Sequence, residues 1–122
     1  MSGQRVTGIG GVFFRARNPE QLASWYKRQL GIQLAPDFVG SVFTATADDQ
    51  TVWSLFPEDT DYFGPRGQQL MVNYRVGDLE AMLVQLREAG AEVDDHVEDS
   101  PFGRFGWATD PEGNRFELWE PV

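Results

Sequence analysis

The chain repeats itself at a fixed offset. Val12, Arg15 and Glu20 return 60 positions later as Val72, Arg75 and Glu80, and Ala45, Thr46 and Leu55 return 63 positions later as Ala108, Thr109 and Leu118. Such self-similarity means that one supersecondary unit occurs twice, and the small drift places insertions in the connections, where loops accept them. A half-chain of about 60 residues buries too little surface to be more than marginal alone, so the two copies are expected to pack as a single domain over residues 1–122. The modules are read as about 5–57 and 68–122, with the acid-, Pro- and Gly-containing stretch 58–67 as connector.

Local signals give each copy the same order. Residues 9–15 are apolar and aromatic and read as a strand. Asn18, Pro19 and Gln21 then supply an N-cap, a proline at the first helical position and a glutamine placed for a capping box. Leu22, Trp25, Tyr26 and Leu30 follow at helical spacing as a buried stripe, and Gly31 stands where a left-handed cap ends a helix. In the second copy 71–76 is the strand, Asp78 the cap, and Leu79, Met82, Leu83 and Leu86 the stripe before Gly90. Three short strands follow each helix: 33–34, 42–46 and 52–56, then 92–96, 103–108 and 115–119. Residues 48–50 and 110–114 are the matching hairpin turns. Each half is a β-α-β-β-β unit.

Composition narrows the function classes. A content of 41% hydrophobic and 24% charged residues fits an ordinary globular domain. No apolar run approaches the ~20 residues of a membrane span, and the first residues lack the blocks of a signal peptide, so a cytoplasmic location is expected. The absence of cysteine excludes disulfides, thiolate metal ligation and thiol catalysis. A formal net charge of -9 argues against nucleic acid and anionic membranes as partners. All basic residues except Lys27 are arginine, the side chain suited to gripping carboxylates and planar groups.

The segment DPEGNRFELWEP at 110–121, preceded by FGRFGWAT, resembles the vicinal oxygen chelate superfamily of glyoxalase I, bleomycin resistance proteins and extradiol dioxygenases. The capped helix with Trp25-Tyr26, RQLGI at 28–32 and VGDLEAMLVQLREAGAEV at 76–93 extend the likeness over nearly the whole chain. The resemblance implies an α+β fold in which two tandem βαβββ modules form an open eight-stranded mixed barrel with a concave ligand cleft. It also implies a homodimer. Members that use a divalent metal take one ligand from the first and one from the last strand of each module, positions that map here to Gly11, Ser54, Met71 and Glu117. The repeat pairs the same positions, Gly11 with Met71 and Ser54 with Glu117. Glycine offers no donor and a lone thioether is a soft one, so no metal cofactor is expected. His96, the single histidine, lies among Asp94, Asp95, Glu98 and Asp99, which read more simply as a solvated acidic edge than as a metal site.

Strand alternation brings further side chains to the face of the four mapped positions. These are Phe13 and Arg15 with Gly11; Val52 and Phe56 with Ser54; Asn73 and Arg75 with Met71; and Arg115 and Trp119 with Glu117. Aromatic area with a few charges is the usual make-up of a small-molecule site. Glu117 has two readings, a paired carboxylate filling an old ligand position or a general base with its pKa raised by apolar neighbours. Gly11 either permits close backbone approach or opens floor space for a ligand. Trp53, of opposite parity, is expected under the first helix. Residues 101–107, aromatic with two glycines and Arg104, read either as a lid over the cleft or as packed aromatics leading into a strand.

The function expected is binding of a small organic molecule, metal-free, in the manner of the bleomycin resistance proteins. The alternative is a lyase, isomerase or dioxygenase of the superfamily, metal-dependent or using Glu117 as base.

Overall fold

Capping and periodicity set both helices where the sequence places them. The computed structural model describes residues 3–46, 49–65 and 67–122, so the expected turn at 48–50 lies partly outside the described residues. Strand β1 (Val6–Ala16) leads to α1 (Pro19–Leu30), β2 (Gly40–Thr46) and β3 (Asp49–Pro57). Strand β4 (Leu70–Val76) leads to α2 (Leu79–Glu88), β5 (Glu92–Val93), β6 (Glu98–Ser100), β7 (Gly103–Thr109) and β8 (Arg115–Pro121). Asn18 Oδ1 accepts from the Gln21 amide and Asp78 Oδ1 from the Ala81 amide, while Gly31 closes α1 in the left-handed region at φ 70°. The class is α+β, with two helices and eight strands in a mixed sheet.

The strands are distributed three and five rather than four and four. Residues 33–34 form no strand: the Gln33 carbonyl accepts from Ser41 Oγ at 2.7 Å, and Ala35 donates to the Gly40 carbonyl. The expected strand 92–96 stops at Val93, and Glu98–Ser100 makes a separate hairpin with β7, Asp99 facing Arg104. Phe102 lies at that hairpin's tip, so 101–107 is a turn and a paired strand, not a lid.

The chain falls into two compact units, residues 11–70 and residues 71–122 with the first ten. The duplication is visible in the strand register of each. In the first unit β1 and β3 run parallel with Phe13 opposite Ser54, Phe14 opposite Leu55 and Arg15 opposite Phe56. In the second, β4 and β8 run parallel with Asn73 opposite Glu117, Tyr74 opposite Leu118 and Arg75 opposite Trp119. These are the same pairs, shifted by the two offsets of the repeat.

Each unit packs its helix on the expected parity. In the second unit Leu79, Met82 and Leu83 of α2 bury against Val76 and Leu118. In the first, Trp53 meets Tyr26 at 4.8 Å and Phe14 at 5.9 Å between ring centroids, as its parity requires. The stripe expected on α1 is only partly buried, however. Leu22 and Tyr26 are half-buried, Trp25 and Leu30 are 45% and 63% exposed, and the buried residue of the helix is Ala23, outside that stripe. The connector also contributes packing: Phe63 is fully buried and lies 5.1 Å from Phe56.

Candidate functional site

Alternation along β4 and β8 leaves Met71, Asn73, Glu117 and Trp119 on the face of the second unit away from α2, all at most 4% exposed. A carboxylate cannot be taken from water there without hydrogen-bond donors. Glu117 has them: Asn73 Nδ2 donates to Oε1 at 2.6 Å and Trp107 Nε1 to Oε2 at 2.9 Å. Trp107 reaches it because β7 pairs with β8 in a register that sets Trp107 opposite Glu117. The other end of the Asn73 amide, Oδ1, has no hydrogen-bond partner among the described residues. It faces Gly10, where a Cβ would collide with it.

Aromatic rings extend this network along the face. Phe105 stacks on Trp119 at 5.9 Å with planes 2° apart, and Trp119 Nε1 donates to the Phe102 carbonyl. His96 stacks on Trp107 at 5.7 Å and 3°, with its Nε2 3.8 Å from Glu98. The Arg115 guanidinium lies 5.6 Å over the Trp107 ring and is ion-paired to Asp94 at 2.7 Å. Arg75 Nη1 donates to the Ile9 carbonyl. Arg75, Phe105 and Arg115, of the same parity, are half-buried, whereas Glu117 is 1% exposed.

The first-unit candidates are placed as follows. Phe13 packs on Phe56 at 5.4 Å, and Phe56 stacks on Tyr62 at 5.1 Å. Ser54 Oγ donates to the Val39 carbonyl. Arg15 donates from Nε to the Gln68 carbonyl and from Nη1 to the Glu58 carbonyl, both at 2.8 Å, with its charge 5.2 Å over Phe63. It clasps the carbonyls of the connector and its flank. Of the two readings of Gly11, close approach is the observed one, since a Cβ there would lie 2.5 Å from the Val52 carbonyl oxygen. Arg104 stands apart: it is ion-paired to Asp99 at 2.8 Å and shares the α2 face with Gly106, so it does not converge with Glu117. That carboxylate holds the Arg104 guanidinium above its ordinary pKa.

The model of the glyoxalase-like domain family matches residues 11–119. The chain belongs to that family. Its fold is that of the vicinal oxygen chelate superfamily. Among solved structures it is similar to methylmalonyl-CoA epimerase from Mycobacterium tuberculosis, at 21% identity and TM-score 0.70, covering 100% of this chain and 93% of that one. It is also similar to a variant of Streptomyces coelicolor methylmalonyl-CoA epimerase in complex with 2-nitronate-propionyl-CoA, at 16% identity and TM-score 0.76, covering 97% and 99%. A third similar structure is the NAD-dependent benzaldehyde dehydrogenase from Legionella pneumophila, at 18% identity and TM-score 0.59, covering 92% and 98%. No curated protein matches the chain significantly by sequence.

In this glyoxalase-like domain the positions inherited for metal ligation carry poor donors. Gly11 has none, the Ser54 hydroxyl is turned to a carbonyl, Met71 is a buried thioether, and both Glu117 oxygens accept N–H groups. These residues do not fit a divalent ion, which needs several converging hard or borderline donors. Trp107, Phe105 and His96 were absent from the sequence-derived candidates. Alternation along 103–109, paired with 115–121, carries the signal for the first two, since it sets Phe105 and Trp107 on the face of Trp119 and Glu117. His96 joins them through a loop whose path no local pattern encodes.

Proposed function

We propose that this glyoxalase-like domain binds a small organic molecule on the Glu117 face of β4, β8 and β7, without a divalent metal. Glu117 anchors the floor of the site. The observation that carries the reading is the carboxylate's pair of donors, Asn73 and Trp107, engaging both oxygens for which a metal or a substrate proton would compete. The aromatic floor of Trp107, Trp119 and Phe105 offers area, and the half-buried Arg75 and Arg115 flank it with charge, the division of labour usual in ligand sites. The proposal extends to a cytoplasmic homodimer; among the described residues no helix is long and apolar enough to cross a membrane.

The ligand of the Streptomyces structure makes CoA thioesters the first compounds to try, with bleomycin as a cationic contrast. Chelator-treated protein is titrated with methylmalonyl-CoA, propionyl-CoA and bleomycin while tryptophan emission is followed. A saturable change that persists in excess chelator and disappears in Trp107→Phe is expected. Binding that requires added nickel, zinc or manganese overturns the metal-free reading. Epimerisation of methylmalonyl-CoA that Glu117→Gln abolishes replaces it with the enzyme reading, Glu117 being then a general base.

A further inference from the structure

The first unit holds a second polar recess, at the end of β1. Arg15, Ala16, Arg17, Glu58, Gly67 and Gln69 line a pocket of about 390 Å³. Its chemistry is unusual for this chain. Among the described residues two arginines and one glutamate line it, a basic excess in a protein of net charge -9.

Neither arginine is neutralised by a carboxylate among the described residues. Arg15 spends Nε and Nη1 on the Gln68 and Glu58 carbonyls, and the Phe63 ring lies beneath its charge. Carbonyls fix the guanidinium without cancelling it, so its orientation is set in advance and Nη2 remains to donate. Gln69 supports the arrangement from behind: its carbonyl accepts the Arg15 amide and its Nε2 donates to the Arg15 carbonyl. Arg17, two residues on along the chain, is exposed and makes no ion pair or hydrogen bond with the described residues. One held fork beside one adaptable fork is an arrangement suited to an oxyanion, because guanidinium groups match carboxylate geometry with paired N–H donors.

We propose that this pocket binds the carboxylate of a small organic acid, with Arg15 and Arg17 as donors and Glu58 limiting affinity. Guanidinium forks match the paired oxygens of a carboxylate, and Glu58, which also lines the pocket, disfavours the higher charge of a phosphate dianion. The site shares no residue with the Glu117 network, so it stands or falls separately from the function proposed above.

The test is a titration of the isotope-labelled full chain with propionate, read by amide chemical shifts at constant low ionic strength. Saturable shifts centred on Arg17, Gly67 and Gln69 are expected. Arg17→Gln, at an exposed position, weakens binding roughly tenfold, and Glu58→Gln strengthens it several-fold, with the dispersed spectrum confirming that both variants are folded. Shifts that do not saturate, or an affinity that ignores both substitutions, overturn the proposal. Tighter binding of inorganic phosphate than of propionate under the same conditions also overturns it.

Discussion

Glu117 illustrates how far one buried residue depends on its hydrogen-bond donors. At 1% exposure it is an acid that only its hydrogen bonds make tolerable. Glu117→Ala strands Asn73 Nδ2 and Trp107 Nε1, at about 1–3 kcal/mol for each buried donor left without an acceptor. Urea unfolding should show that loss, and a smaller one for Glu117→Gln, which retains one acceptor oxygen; an alanine variant as stable as the parent would contradict the anchoring role. Gly10→Ala is expected to cost about 1–3 kcal/mol by overpacking, because its Cβ meets Asn73 Oδ1 and lies 2.9 Å from the Trp119 ring. At the opposite extreme of burial, Asp110 accepts from the Asn114 amide and side chain, and these bonds hold its carboxyl below the ordinary value of 3.8. A folded-state pKa below the unfolded one means the turn's contribution is complete above the unfolded value and fades as pH falls through the folded one. The stability difference between Asp110→Asn and the parent, measured by thermal unfolding, should therefore shrink as pH drops below 3.8.

Elements were legible wherever the signal is local. Asn18 and Asp78 cap their helices through side-chain bonds that need only a few residues of sequence to foresee. Asp78→Ala should cost about 1 kcal/mol in urea unfolding, and no change would mean that the Glu120 carboxylate, which accepts the Leu79 amide at 2.8 Å, caps α2 unaided. Where tertiary packing decides, the local pattern misled. The α1 stripe was drawn one ring too wide: Tyr26, Trp53 and Phe14 fill the space beneath the helix, and Trp25 is left at its edge, touching Tyr26 edge-on. Residues 33–34 have strand-like composition, but their backbone is engaged by Ser41 and the Ala35–Gly40 turn. Arg104 shows the same limit, since its partner Asp99 comes from a two-strand hairpin that no periodicity of three residues can announce.

At the scale of the whole chain the repeat was the most informative observation, and it carried further than the fold. Two offsets match equivalent residues of the copies, and Phe13–Ser54 and Asn73–Glu117 accordingly occupy equivalent places in two parallel strand pairs. Parity then named Met71, Asn73, Glu117 and Trp119 as one face, which the burial pattern bears out. What parity cannot supply is the direction of a long side chain's end, and the Arg15 guanidinium is held by the Gln68 and Glu58 carbonyls. The central proposal is that Asn73 and Trp107 hold Glu117 as a packed, hydrogen-bonded carboxylate and not as a metal ligand. Calorimetric titration of chelator-treated protein with nickel, zinc and manganese tests it most directly. The account predicts no sub-micromolar binding of any of the three; sub-micromolar binding that Glu117→Gln removes would contradict it.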